Sequence, residues 1–136
     1  MRKWSKVILW SVLFWACAGP SRPPLPPPEP LPQELTQECG GLRVQITLQW
    51  ARPSASVSDV YLTDLSGQLL ADIARVVLAF TAGGTDSTTT MVAQPTAAGH
   101  YVPVARFLVT PGLWRVGVIV RRASGLAVTC VFALNL

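Results

Sequence analysis

The chain has 136 residues and a formal net charge of +4; half of its residues are hydrophobic and only 13% are charged. This length predicts one domain, and this composition allows that domain to bury a hydrophobic core. Three basic residues lie within the first six positions, and from Gly41 onward seven arginines accompany four aspartates. These later charges are scattered along the chain rather than clustered in a basic stripe, which argues against nucleic-acid binding.

The first seventeen residues have the pattern of an export signal. Arg2, Lys3 and Lys6 precede an uninterrupted run, residues 7–16, that is almost entirely apolar. A helix needs about 20 apolar residues to span a bilayer, so this run is short for a permanent anchor. Residues 1–17 are therefore predicted to be a signal peptide.

Two interpretations remain open for the end of this segment. Residues 14–17 resemble a bacterial lipobox, in which Cys17 would be lipidated and become the mature N-terminus. This interpretation predicts an extracytoplasmic lipoprotein of the bacterial cell envelope, whose lipid anchor makes the membrane a partner. The alternative is an A-x-A site, cut after Ala18, which would yield a secreted or periplasmic protein.

Residues 18–40 are predicted to be a proline-rich linker. Eight prolines fall within residues 20–32. Such a run favours extended polyproline II, at about 3.1 Å per residue, and forms no core. Its Pro-x-x-Pro spacing would also suit an SH3- or WW-type partner. Outside a bacterial membrane those partners are not expected, so the sequence favours a stiff spacer.

From Leu42 the hydrophobic pattern has a period of two, which is typical of half-buried strands. Short alternating segments separated by turn residues predict an all-β, immunoglobulin-like antiparallel β-sandwich of about seven strands over residues 41–136. Pro103 predicts an edge strand, because proline cannot donate to a ladder. Trp114 opens a valine-rich inner row and is predicted to be largely buried. The predicted strands are 42–50, 59–64, 75–81, 88–93, 99–105, 110–122 and 126–136.

Several motifs along residues 42–136 resemble the YtkA-like domain, a small β-sandwich of bacterial extracytoplasmic proteins that is also fused to copper-resistance-type membrane proteins. The most specific are Gly99-His100-Tyr101 and the segment that begins Gly112-Leu113-Trp114. The family commonly has Pro-x-x-x-Gly-x-Asn before its second strand. This chain has Pro53 there, but it lacks the glycine and the asparagine.

The resemblance implies a link to copper, which binds imidazole and sulfur ligands. Beyond the signal peptide the chain offers one histidine, His100, and one methionine, Met91, which would approach each other if strands 88–93 and 99–105 paired. Two ligands make a weak site, so the sequence predicts no cofactor and a metal ion only through a partner. No catalytic motif is present, and the chain is not predicted to be an enzyme.

Cys39 and Cys130 remain available for a disulfide whichever way the signal is processed. Export would place them in an oxidising compartment, and the first and last strands of an immunoglobulin-like sandwich often run side by side. The alternative is a buried Cys130 thiol with Cys39 free in the linker.

Two functions therefore remain open. One is an accessory or binding lipoprotein of the envelope, acting in metal homeostasis through a partner protein. The other is a structural envelope domain without a ligand.

Overall fold

The computed structural model describes Gly19, Pro23, Pro24 and residues 31–136. This part of the chain is all β. Its eight strands are β1 (Gln33–Cys39), β2 (Leu42–Ala51), β3 (Ser54–Asp64), β4 (Ile73–Ala82), β5 (Thr88–Ala97), β6 (His100–Pro103), β7 (Leu113–Arg122) and β8 (Ala127–Asn135). The predicted signal peptide, Cys17 and most of the predicted linker lie outside the described residues.

The strands form one antiparallel sheet in the order β1-β2-β3-β6-β5-β4-β7-β8. A disulfide between Cys39 and Cys130, with a Cα–Cα distance of 5.7 Å, joins the two end strands. The sheet therefore folds over so that both halves face a single core. This arrangement confirms the predicted all-β, sandwich-like fold.

Most of the core consists of the alternate residues of five strands, as the period of two predicts. Val44, Leu62, Leu78, Val118 and Cys130 are each fully buried, one from each of these strands. Residues opposite one another across the ladders point to the same face, so the buried rows meet in one cluster. The predicted period of two is confirmed in β2, β3, β4 and β8.

The sheet begins earlier than predicted. Gln33–Cys39 pair with β2 from Gln33 opposite Leu48 to Cys39 opposite Leu42. The predicted linker, 18–40, therefore ends too late, and the observed number of strands is eight. Only Leu35 and Cys39 of β1 pack against the core, which explains why its hydrophobic pattern is weak.

The prediction that Pro103 marks an edge strand is wrong. β6 lies between β3 and β5 in the sheet. Its ladder with β3 has only two pairs, Val60 with Tyr101 and Tyr61 with His100. Pro103 lies beyond that ladder, at the end of β6. The strand is internal, but the ladder with β3 does not use Pro103, so the missing N–H of this proline removes no hydrogen bond there.

Trp114 is less buried than predicted. It lies on the inner side of β7, in the same row as Val116, Val118 and Val120. The three valines are fully buried, but Trp114 is not. Trp114 is the second residue of β7, where the sandwich ends, and it is half-buried. Its ring contacts Phe107 edge-on at 5.9 Å, and its Nε1 donates to the carbonyl oxygen of Thr110 at 2.9 Å.

Candidate functional site

The structure separates the two residues that the sequence offered as metal ligands. Strands β5 and β6 do pair, with Ala97 opposite His100. Met91 lies six residues before Ala97, which is about 20 Å along a strand. It also lies opposite the buried Leu78 on the inner side of the sheet, whereas His100 contacts Tyr61 on the outer side. His100 and Met91 therefore do not approach each other, although the strands that carry them pair.

His100 instead belongs to a hydrogen-bonded group, the His100 cluster, formed by Ser58, Asp59, Tyr61, Thr96 and His100. The Nε2 atom of His100 lies 2.8 Å from Oδ1 of Asp59, and its Nδ1 atom lies 2.7 Å from Oγ1 of Thr96. The Ser58 hydroxyl donates to Oδ2 of Asp59 at 2.8 Å. The Tyr61 ring stacks on the imidazole, with centroids 4.4 Å apart and planes 4° from parallel.

The turn between β5 and β6 places His100 beside β3. Gly99 has a φ of 68° and is buried; a Cβ there would lie 2.6 Å from the Leu62 carbonyl oxygen. The backbone N–H of Leu62 donates to the carbonyl oxygen of Gly99 at 2.7 Å. Only glycine fits this close approach, and it sets His100 directly opposite Tyr61.

Both imidazole nitrogens are thus engaged, and the hydroxyl of Thr96 suits either protonation state. A neutral imidazole donates from Nε2 to Asp59 and accepts from Thr96 at Nδ1. A protonated imidazole donates from both nitrogens, and the Thr96 hydroxyl then donates to the His100 carbonyl oxygen, 3.3 Å away. A metal ion would have to displace one of these partners.

The position of the cluster indicates a structural role. The β3–β6 ladder is the shortest in the sheet, with two residue pairs. Asp59 and Tyr61 come from β3, whereas Thr96 and His100 come from the β5–β6 hairpin. Their contacts therefore reinforce the junction at which few backbone hydrogen bonds hold the two parts together.

Two other titratable groups are perturbed by their surroundings. Hydrogen bonds from the Ser66 side chain and the Gln68 backbone lower the pKa of Asp64, which fits the turn role expected of an aspartate there. Burial raises the pKa of Tyr101, and the negative charge of Asp72 raises it further. Neither group lies in the His100 cluster.

Within the described residues, no three His, Cys, Asp or Glu side chains come together as metal ligands would. The same part of the chain contains no helix with the length and apolarity that crossing a bilayer requires. Comparison of the chain with protein-family models, curated proteins and solved structures finds no match in any of the three.

Proposed function

We propose that this protein is a non-catalytic, extracytoplasmic module tethered to the bacterial membrane by a lipid on Cys17, and that it serves as a binding or accessory domain of the cell envelope. The observation that carries this proposal is the disulfide between Cys39 and Cys130. Disulfides persist in oxidising compartments and are rare in the cytosol. The bond therefore supports the export predicted from residues 1–17.

The place of the bond in the fold adds to this support. Cys130 is fully buried in the core and Cys39 packs against it, so the disulfide is part of the folded domain. It joins the two strands at the ends of the sheet. A domain whose closure depends on such a bond suits a compartment that keeps the bond oxidised.

The accessory role draws on the resemblance to the YtkA-like domain and its link to copper. His100 and Met91 lie on opposite sides of the sheet, and both nitrogens of His100 already have partners. Any role in copper homeostasis would then depend on a partner protein that supplies the ligands. The second candidate is a structural envelope domain without a ligand, released after Ala18.

Fractionation of cells that express the full chain tests the tether. Wild-type protein should be found with membranes, and Cys17→Ser should release it or halt its processing. Ala18→Leu is the matched control: it blocks A-x-A cleavage, which requires a small residue there, but leaves Cys17 intact. A soluble wild-type protein that begins at Gly19, and that Ala18→Leu prevents from maturing, would contradict the lipoprotein.

A separate assay tests the non-catalytic part of the proposal. Asp59, His100 and Thr96 follow one another as carboxylate, imidazole and hydroxyl, as in nucleophilic active sites, but with the two ring nitrogens exchanged relative to the Ser-His-Asp triad. We expect chromogenic esters to be hydrolysed no faster with the wild-type protein than with Thr96→Val. Turnover that is lost in Thr96→Val, while Ser58→Ala retains it, would contradict the structural role of the cluster.

A further inference from the structure

The outer side of β4, β7 and β8 is an apolar surface at the centre of its half of the sandwich. Val77 lies opposite Ile119, and Ala79 lies opposite Gly117, which in turn lies opposite Val131 of β8. The residues between them, such as Leu78 and Val118, are fully buried. By alternation these five residues point away from the core.

A depression lies in the middle of this surface. Its floor is made by Ala79 and Gly117, whose small size leaves room; a Cβ at position 117 would meet the Cβ of Ala79 at an ordinary 3.7 Å. The depression has a volume of about 440 Å³. Ile119, Val131 and Arg115 border it, and its remaining lining is polar: Asp86 and the threonines at positions 81, 85, 88 and 129. A smaller one, of about 130 Å³, continues over Val77 and Ile119 between Arg75 and Arg121.

Arginines stand at both ends of this apolar strip. Arg75 lies directly opposite Arg121 at one end. Arg115 lies six residues before Arg121 on β7, about 20 Å away. We call this surface the arginine-rimmed face: the three arginines together with the apolar strip between them.

Within the described residues the three rim arginines form no ion pair, although Asp86 lines the same depression as Arg115. Like charges directly opposite across two strands destabilise a sheet, and Arg75 and Arg121 form such a pair. The ion pairs within the described residues join Arg43 to Glu38 and Arg122 to Asp72, and Asp59 is hydrogen-bonded to His100. The rim arginines take part in none of these pairs. An anionic partner would relieve their repulsion.

We propose that the arginine-rimmed face binds an extended segment of a partner polypeptide in which aliphatic side chains lie between carboxylates. One carboxylate pairs with Arg75 and Arg121, another pairs with Arg115, and an aliphatic side chain fills the depression over Gly117. This inference rests on the proposed role as a binding module, and it supplies the chemistry of the partner.

The shape of the face, with its central depression, favours a polypeptide over a bilayer or a second copy of this chain. A bilayer offers anionic headgroups to the arginines but no protruding group for a sunken floor of Ala79 and Gly117. A second copy packed through the same face would place arginines against arginines. A strand-like peptide offers alternating side chains at the spacing of the sheet, and can reach both ends of the rim.

The test is a selection of random displayed peptides on the full-length protein, immobilised in non-ionic detergent. Peptides of about twelve residues span about 40 Å when extended, enough to cover the roughly 20 Å between the two ends of the rim. We expect enrichment of sequences with Asp or Glu on both sides of Leu, Ile or Val. The most enriched peptide, made synthetically and labelled, is then measured by fluorescence anisotropy.

Three variants locate the binding. The triple variant should raise the Kd of the peptide by about tenfold or more, as expected for the loss of three exposed ion pairs. It combines Arg75→Gln, Arg115→Gln and Arg121→Gln. Gly117→Leu should also weaken it, because it fills the depression while keeping every arginine. The matched control, Arg52→Gln with Arg106→Gln, removes two exposed arginines elsewhere and should leave affinity unchanged. Thermal melts verify that each variant is folded.

The proposal is overturned if no acidic peptide is enriched, or if enriched peptides bind the triple variant and the control equally. It is also overturned if phosphatidylglycerol vesicles retain the wild-type protein and release the triple variant while no peptide is selected, since the face would then bind a membrane. Loss of peptide binding in a protein that still fractionates with membranes would leave the proposed tether standing.

Discussion

Removal of the bond between Cys39 and Cys130 should cost a large part of the stability of this domain. The two cysteines are 91 positions apart in sequence. In the chain-entropy model, a loop of that length restricts the unfolded chain by about 4–5 kcal/mol. Domains of this size have only about 5–15 kcal/mol of unfolding free energy in total. The protein with its bond broken should therefore be close to the limit of folding.

Urea unfolding of oxidised and reduced protein measures this difference. Cys17→Ser in every sample leaves Cys39 and Cys130 as the only cysteines, because the chain has three. Reduction keeps both sulfur atoms, so it isolates the covalent link. Comparison with Cys39→Ala plus Cys130→Ala then shows the added cost of emptying the buried Cys130 position, about 1 kcal/mol or slightly more.

The reasoning would be refuted by a reduced protein whose unfolding free energy lies within about 1 kcal/mol of the oxidised value, because loop closure would then contribute little. Rapid alkylation of both cysteines in freshly exported protein, without reductant, would contradict the bond itself. A fall in the m-value on reduction would instead show a change in the compactness of the unfolded or native state.

Three further changes have defined outcomes. Trp114→Ala should cost about 2–3 kcal/mol in chemical denaturation, less than the 3–5 kcal/mol of a fully buried aromatic, because Trp114 is half-buried; a cost near zero would mean that its contact with Phe107 is not maintained in solution. A double-mutant cycle of His100→Ala and Asp59→Ala should give a coupling free energy of about 0.5–1 kcal/mol. Copper titrations of the wild type and of His100→Ala should coincide. If the wild type bound copper and His100→Ala did not, the structural role of the cluster would be contradicted. The raised pKa of Tyr101 means that the folded state holds its proton more tightly than the unfolded chain, so stability should fall as the pH rises above 10; Tyr101→Phe should reduce that loss, and an unchanged alkaline profile would refute it.

The inner rows of the sandwich could be predicted because burial of one face imposes a period of two on the sequence. Leu42 to Leu48 and Val76 to Phe80 carry that signal clearly. β1 could not be predicted in this way. Leu35 and Cys39 are its only residues that pack on the core, and its strand conformation depends on pairing with β2 and on the disulfide.

The surroundings of His100 were beyond sequence reasoning because they depend on sheet order. Asp59 lies 41 positions away, and it meets His100 only because β6 inserts between β3 and β5. Gly99 was the available signal, since a glycine before His100 fits a turn that packs closely against a neighbour. The same dependence on register explains why charges that are scattered along the chain come together: Arg75 and Arg121 are opposite only once β4 and β7 pair.

The closure of the sheet bears on where a partner can bind. An exposed end strand normally offers unpaired backbone groups to which another chain can add a strand. Here the ends of the sheet are β1 and β8, and the disulfide holds Cys39 against Cys130 so that these two edges face each other. Strand addition at either edge would have to separate them. The outer faces remain accessible, and their charges differ. Glu38 and Asp59 are paired on the β1–β3 half, whereas on the other half Arg75, Arg115 and Arg121 form no ion pair with any described residue. The partner proposed for the arginine-rimmed face could therefore bind without opening the domain.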